Sequence, residues 1–99
     1  MAIQVFIKRI CEDHSRERDL FSLVRKIRSL VPLQSGYLSS KYVKKTDHPK
    51  VIVAISAWDS IEDWQNWFRS EERQEIQSKI DAIPGVKTTY EIYEDTATK

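Results

Sequence analysis

A chain of 99 residues is long enough for one ordinary domain and too short for two. Its 16 Lys and Arg nearly cancel its 15 Asp and Glu, so the formal net charge of +1 offers nucleic acid no basic surface. No run approaches the ~18 apolar residues of a membrane span, and the single cysteine, Cys11, excludes an internal disulfide.

Met1 to Lys8 lacks the apolar core and small-residue cleavage site of a secretory signal, so the expected location is the cytoplasm. A monomer of this size removes only about two-thirds of its unfolded surface from water. Association is therefore an economical way to bury more. One domain over residues 1–95 with a short tail at 96–99 is expected.

Ala2 to Ile10 alternates and is rich in Val, Ile and Phe, which reads as a strand. The polar stretch Glu12 to Ser15 starts a helix, with Asp13 or Ser15 as its N-cap. Leu20, Leu23, Val24, Ile27, Leu30 and Val31 follow with three-and-four spacing until Pro32 ends the helix. Gly36 opens a second strand, Tyr37 to Lys44, and Thr46-Asp47-His48-Pro49 turns the chain into a third, Val51 to Trp58. Ser60 caps the next helix, with Asp63 three residues on in the capping-box position. Ile61, Trp64, Trp67 and Phe68 line one side of it. Ser70, Glu71 and Glu72 look like a second N-terminus, so the helix kinks or restarts there. Ile76, Ile80 and Ile83 continue the stripe, Pro84-Gly85 ends it, and Val86 to Tyr93 is the last strand.

Strand, helix, strand, strand, helix, strand is the ferredoxin-like βαββαβ plan of the α+β class. Its helices cover one face of a four-stranded antiparallel sheet. The third strand is nevertheless apolar on both sides, with Val51, Val53, Ile55 and Ala57 on one and Ile52, Ala54 and Trp58 on the other. The first strand carries Ile3, Val5 and Ile7 against Phe6 and Ile10. A sheet with one face in water alternates more cleanly. A second copy of the chain is the expected cover, giving a homodimer joined through its sheet faces.

The run S-A-W-D-S-I-E-D-W-Q-N-W-F-R-S-E-E-R, Ser56 to Arg73, resembles the signature of the antibiotic biosynthesis monooxygenase (ABM) family. Gly36-Tyr37 and Tyr90-Glu91-Ile92-Tyr93 fit the same pattern. The resemblance implies the dimeric α+β barrel. It also implies either a small monooxygenase that oxidises a quinol or other aromatic with dioxygen, needing neither metal nor flavin, or a haem-binding, haem-degrading protein. The haem-degrading relatives use a helix histidine where this chain has Gln77, and a first-strand asparagine where it has Lys8 in Lys8-Arg9-Ile10. An amide is a poor iron ligand, so no cofactor is expected.

Trp67 matches the family's pocket tryptophan. Either it walls a flat apolar cavity or it is a core residue facing the sheet. Trp64, Phe68, Gln77 and, on the first strand, Phe6 complete the pocket candidates. Trp58 reads as structural, at the dimer seam. An oxygenase without cofactor needs a polar group that stabilises a substrate enolate or phenolate. Tyr37, Tyr42, Tyr90, Lys8, Arg9 and Gln77 are the candidates. Arg16, Glu17, Arg18, Arg69, Glu71, Glu72 and Arg73 read as solvated helix faces. His14 and His48 read as loop residues away from ligand spacing, and Cys11 as an inert thiol, so no metal site is expected. The alternative to an enzyme is a non-catalytic dimer that binds or senses a small molecule.

Overall fold

The computed structural model describes residues 1–96. The tail expected at 96–99 thus lies, beyond Thr96, outside the described residues. Strands β1 (Ile3–Cys11), β2 (Tyr37–Lys44), β3 (Val51–Trp58) and β4 (Val86–Glu94) form one sheet in the order β2-β3-β1-β4. All neighbouring strands are antiparallel. Helix α1 (Glu17–Leu30) links β1 to β2. Helices α2 (Ile61–Arg69) and α3 (Glu71–Asp81) link β3 to β4. This is the α+β, ferredoxin-like plan.

The local chemistry explains the ends of the elements. Asp13 does not cap α1 itself. It caps a short 3-10 turn, His14–Arg16, by accepting from the Ser15 N–H, and α1 follows. Pro32 sits in a second such turn, Val31–Leu33, and α1 has already stopped at Leu30. Ser60 accepts from the Asp63 N–H and donates to its carboxylate, a capping interaction worth about 1 kcal/mol. Ser70 takes an extended conformation, ends α2 and accepts from Arg73 N–H to begin α3. The expected restart is therefore a full break. Gly36 stands at φ +81°, and a Cβ there would overlap the Asp63 side chain. The turn into β2 and the cap of α2 therefore share one space that only glycine leaves open.

Strand parity sets the two faces. On β1 the odd positions Ile3, Val5, Ile7, Arg9 and Cys11 are all buried. They meet Leu20 and Ile27 of α1, Trp64 and Trp67 of α2, and Ile76 and Ile80 of α3 in one core. Trp58 pairs with Ile3 in register and shares this face. The opposite face presents Phe6 and Ile10 beside Val53, Ile55 and Ala57, all partly buried, and no helix covers it. Val43 and Tyr93 extend that apolar strip and are 43% and 52% exposed. Phe6 packs edge-on against Tyr93 at 5.3 Å between ring centres. No helix among the described residues is long and apolar enough to cross a membrane.

Candidate functional site

The interior beneath the helices holds two arginines. Arg9 follows Ile7 in the inward parity of β1 and is 4% exposed. Its Nη2 donates to Gln77 Oε1 at 2.9 Å. Gln77 in turn donates through Nε2 to Asp81 at 2.9 Å and to Thr88 Oγ1 at 3.3 Å. Arg73 lies one helical turn before Gln77 on α3 and is wholly buried. The expectation of a solvated Arg73 is overturned, because Arg73, Ile76, Gln77 and Ile80 form the inward stripe of α3.

Arg73 sits in a cage of rings. Its guanidinium lies 5.0 Å from the Phe68 centroid, 5.4 Å from Tyr90 and 5.5 Å from Trp64. Its Nη2 donates to the Tyr90 hydroxyl at 3.0 Å. Such contacts return up to about 2 kcal/mol of the charge's burial cost when desolvated. They do not neutralise it. Arg9 Nε and Arg73 Nε and Nη1 are buried without a hydrogen-bond partner. Neither guanidinium joins any ion pair among the described residues. Burial draws the Arg9 guanidinium down from its ordinary value to about 10, and the neighbouring Arg73 charge pushes the same way. Arg9 remains a cation at neutral pH.

A cavity adjoins Arg9. Leu20, Phe21 and Val24 of α1 form one wall, and Ile7, Ile52 and Ala54 of the sheet form the other. Arg9 and Tyr42 are its polar members. The space open to the centre of a water-sized sphere is about 20 Å³, room for about one water. Burial raises the Tyr42 hydroxyl above its ordinary pKa, while Arg28, 4.5 Å from the ring centre, works against that rise. Tyr42 is therefore a hydrogen-bond donor at neutral pH.

The structure brings some sequence candidates together and separates others. Trp64 and Phe68 gather around Arg73 and Tyr90, and Gln77 holds Arg9. Trp67 is 2% exposed within the core, and neither it nor its helix borders the cavity. Phe6 and Lys8 occupy outward positions of β1, across the sheet from this interior. Tyr37 bonds to Ser40 and packs edge-on against Trp58. Trp58 is not at a dimer seam. It is fully buried beneath the helices, with its indole N–H donating to Ser56 Oγ at 3.0 Å. Gln77 is committed to Arg9, Asp81 and Thr88, which leaves its amide unsuited to holding iron.

The other sequence candidates lie apart. His14 and His48 are exposed, and among the described residues no group of His, Cys, Asp and Glu is placed to hold a metal. Cys11 is buried and its thiol is pushed up chiefly by burial, so it carries little thiolate at neutral pH. Arg73 is the buried charged residue of this interior that sequence reasoning missed. Its spacing of three, four and seven from Ile76, Gln77 and Ile80 was the signal.

No curated protein sequence matches the chain. Solved structures do. A conserved protein of Methanosarcina mazei Go1 superposes with a TM-score of 0.87 at 16% identity, over 97% of this chain and 94% of its own. SnoaB, a cofactor-independent oxygenase from Streptomyces nogalater, gives 0.82 at 9% identity, over 98% and 95%. Rv0793 from Mycobacterium tuberculosis gives 0.75 at 16% identity, over 99% and 100%. At these identities the superpositions establish the fold alone. The sequence adds the lineage, because the profile described as antibiotic biosynthesis monooxygenase matches residues 1–79, from β1 through most of α3. That span includes both buried arginines and all three tryptophans, and it places the chain in the antibiotic biosynthesis monooxygenase family.

Proposed function

We propose that the protein is a homodimeric, cofactor-independent monooxygenase acting on a quinol or related aromatic substrate. The observation that carries this reading is the pair of buried guanidiniums without carboxylates, set among aromatic and aliphatic walls. An interior of that kind stabilises an anion. An acidic aromatic substrate loses a proton there and becomes a phenolate or enolate. The anion gives one electron to dioxygen, and the two radicals combine at carbon to a peroxide. Where that carbon began as CH2, loss of water leaves C=O, so CH2 and O2 become C=O and H2O. Arg9 and the Tyr42 hydroxyl border the cavity and hold the negative charge there, and Arg73, which donates to the Tyr90 hydroxyl, adds a second positive charge nearby. Trp64 and Phe68 pack against the Arg73 guanidinium, and Phe21 of α1 is the aromatic wall of the cavity.

The test is oxygen uptake by the purified protein with an aromatic quinol. The expected result is enzyme-dependent uptake that persists after chelation and in flavin-free protein. Uptake no faster than the uncatalysed rate across mono-, bi- and tricyclic quinols would defeat the proposal. A second reading, a non-catalytic binding module, draws support from the cavity of about 20 Å³, which admits no ring until side chains move. Tight quinol binding without oxygen uptake would establish that reading instead.

The uncovered apolar strip on the sheet supports the dimer, in which two sheets pack face to face as one barrel. Sedimentation is expected to give twice the chain mass at micromolar concentration. Ile55→Lys, at the centre of the strip opposite Phe6, is expected to yield monomer. Wild-type protein running as a monomer would end the barrel proposal.

A further inference from the structure

Two full positive charges in an apolar interior demand an explanation. Removing each from water costs several kcal/mol even after relaxation. An enzyme that meets an anion only fleetingly could use neutral donors, such as amides, and avoid that cost. A standing charge suits a ligand that is already an anion when it arrives. We propose that the interior selects an aromatic acid, whose carboxylate docks on Arg9 beside the cavity. The proposal rests on the reading above that an aromatic ring enters this interior, and it adds the substituent the ring must carry.

The details of Arg9 favour a carboxylate. Its Nε–H is buried and unpaired, and its one partner is the neutral Gln77 amide. Asp81 reaches it only at one remove, through Gln77. Tyr42 borders the same cavity and adds a hydroxyl donor. The remaining walls are aliphatic or aromatic, so the site offers few donors to a phosphate but suits a flat head with two oxygens. Arg73 contributes a second positive charge close enough to lower the pKa of Arg9. An arriving carboxylate relieves this repulsion.

Entry has a visible route. Phe21 borders both the cavity and a surface depression beside His14, Glu17 and Arg18. It is only partly buried. Phe21 is the side chain common to both linings, and its rotation is the route of entry proposed for an aromatic ring behind the carboxylate.

Calorimetric titration of the full chain with 2-naphthoate and with its neutral counterpart 2-naphthamide tests the inference. The acid is expected to bind at least about tenfold more tightly, as a charge-assisted hydrogen bond requires. Arg9→Met, close in length and uncharged, is expected to erase that preference. Equal or tighter binding of the amide by the wild type would overturn the proposal, as would failure of both to bind at millimolar concentration. A preference that survives in folded Arg9→Met would overturn it as well. The wild-type comparison decides the matter even if the variant does not fold. Oxygen uptake separates this proposal from the oxygenase reading. Turnover of neutral quinols without acid preference removes the aromatic acid and leaves the oxygenase, whereas acid preference without turnover does the reverse.

Discussion

Trp58→Ala is expected to destabilise the protein by about 3–5 kcal/mol. The indole is fully buried at the end of β3, between Ile3 of β1 and Tyr37 of β2 in register. Its ring meets Tyr37 at 5.7 Å and Trp64 at 5.8 Å, both near edge-on. Truncation removes these contacts and leaves a cavity among strands that cannot close over it, since their spacing is fixed by backbone pairing. It also frees Ser56 Oγ, the indole's acceptor, on the same buried face. A domain of this size has about 5–15 kcal/mol of total stability, so the variant is expected to be largely unfolded at modest urea. Equilibrium urea denaturation at fixed protein concentration measures the loss. Trp58→Phe, which keeps a ring and gives up the N–H, is expected to lose less than half as much. A loss below about 1 kcal/mol for Trp58→Ala would show that Tyr37 and Trp64 collapse into the space.

The contrast between Trp58 and Arg73 shows what the sequence could and could not tell. The break at Ser70 was readable because a capping serine and two glutamates announce a helix start by local chemistry alone. The apolar doubling of β3 was readable because side chains alternate strictly between faces. The same alternation places Trp58 with Ala54 beneath the helices, and sends Phe6 and Lys8 outward with Gln4. It also marks Arg9 as inward, fourth in the series Ile3, Val5, Ile7, Arg9, Cys11. Those placements were legible, and what hid them was residue type, since a terminal tryptophan suggests an interface and an arginine suggests water. Arg73 is the sharper case. Helical spacing puts it on the stripe of Ile76, Gln77 and Ile80, but charge argues for solvent, and only the ring cage explains how it can be buried. The cavity was not legible at all. Its position against α1 rather than α2 depends on how closely Leu20, Phe21 and Val24 approach the sheet, which spacing does not encode.

Arg73→Met separates the two roles a buried cation can play. The variant keeps the length of the side chain and removes the charge. It loses the contacts with Trp64, Phe68 and Tyr90, worth up to about 2 kcal/mol, and the bond to the Tyr90 hydroxyl, worth about 1 kcal/mol. It regains the cost of burying an uncompensated ion, several kcal/mol, and thioether–ring contacts replace part of the cage. The expected sum is stability unchanged or raised by up to about 2 kcal/mol in urea denaturation. Turnover of a quinol is expected to fall about 10²–10³-fold, the usual loss when a preorganised donor to a developing oxyanion is removed. Arg73→Lys is expected to retain part of the rate, because it keeps the charge but not the planar group that lies against the rings. A residue retained only to hold the fold would show the opposite pattern, with Arg73→Met losing stability and full turnover per folded molecule. That outcome would remove Arg73 from the site and leave the interior charge to Arg9 alone.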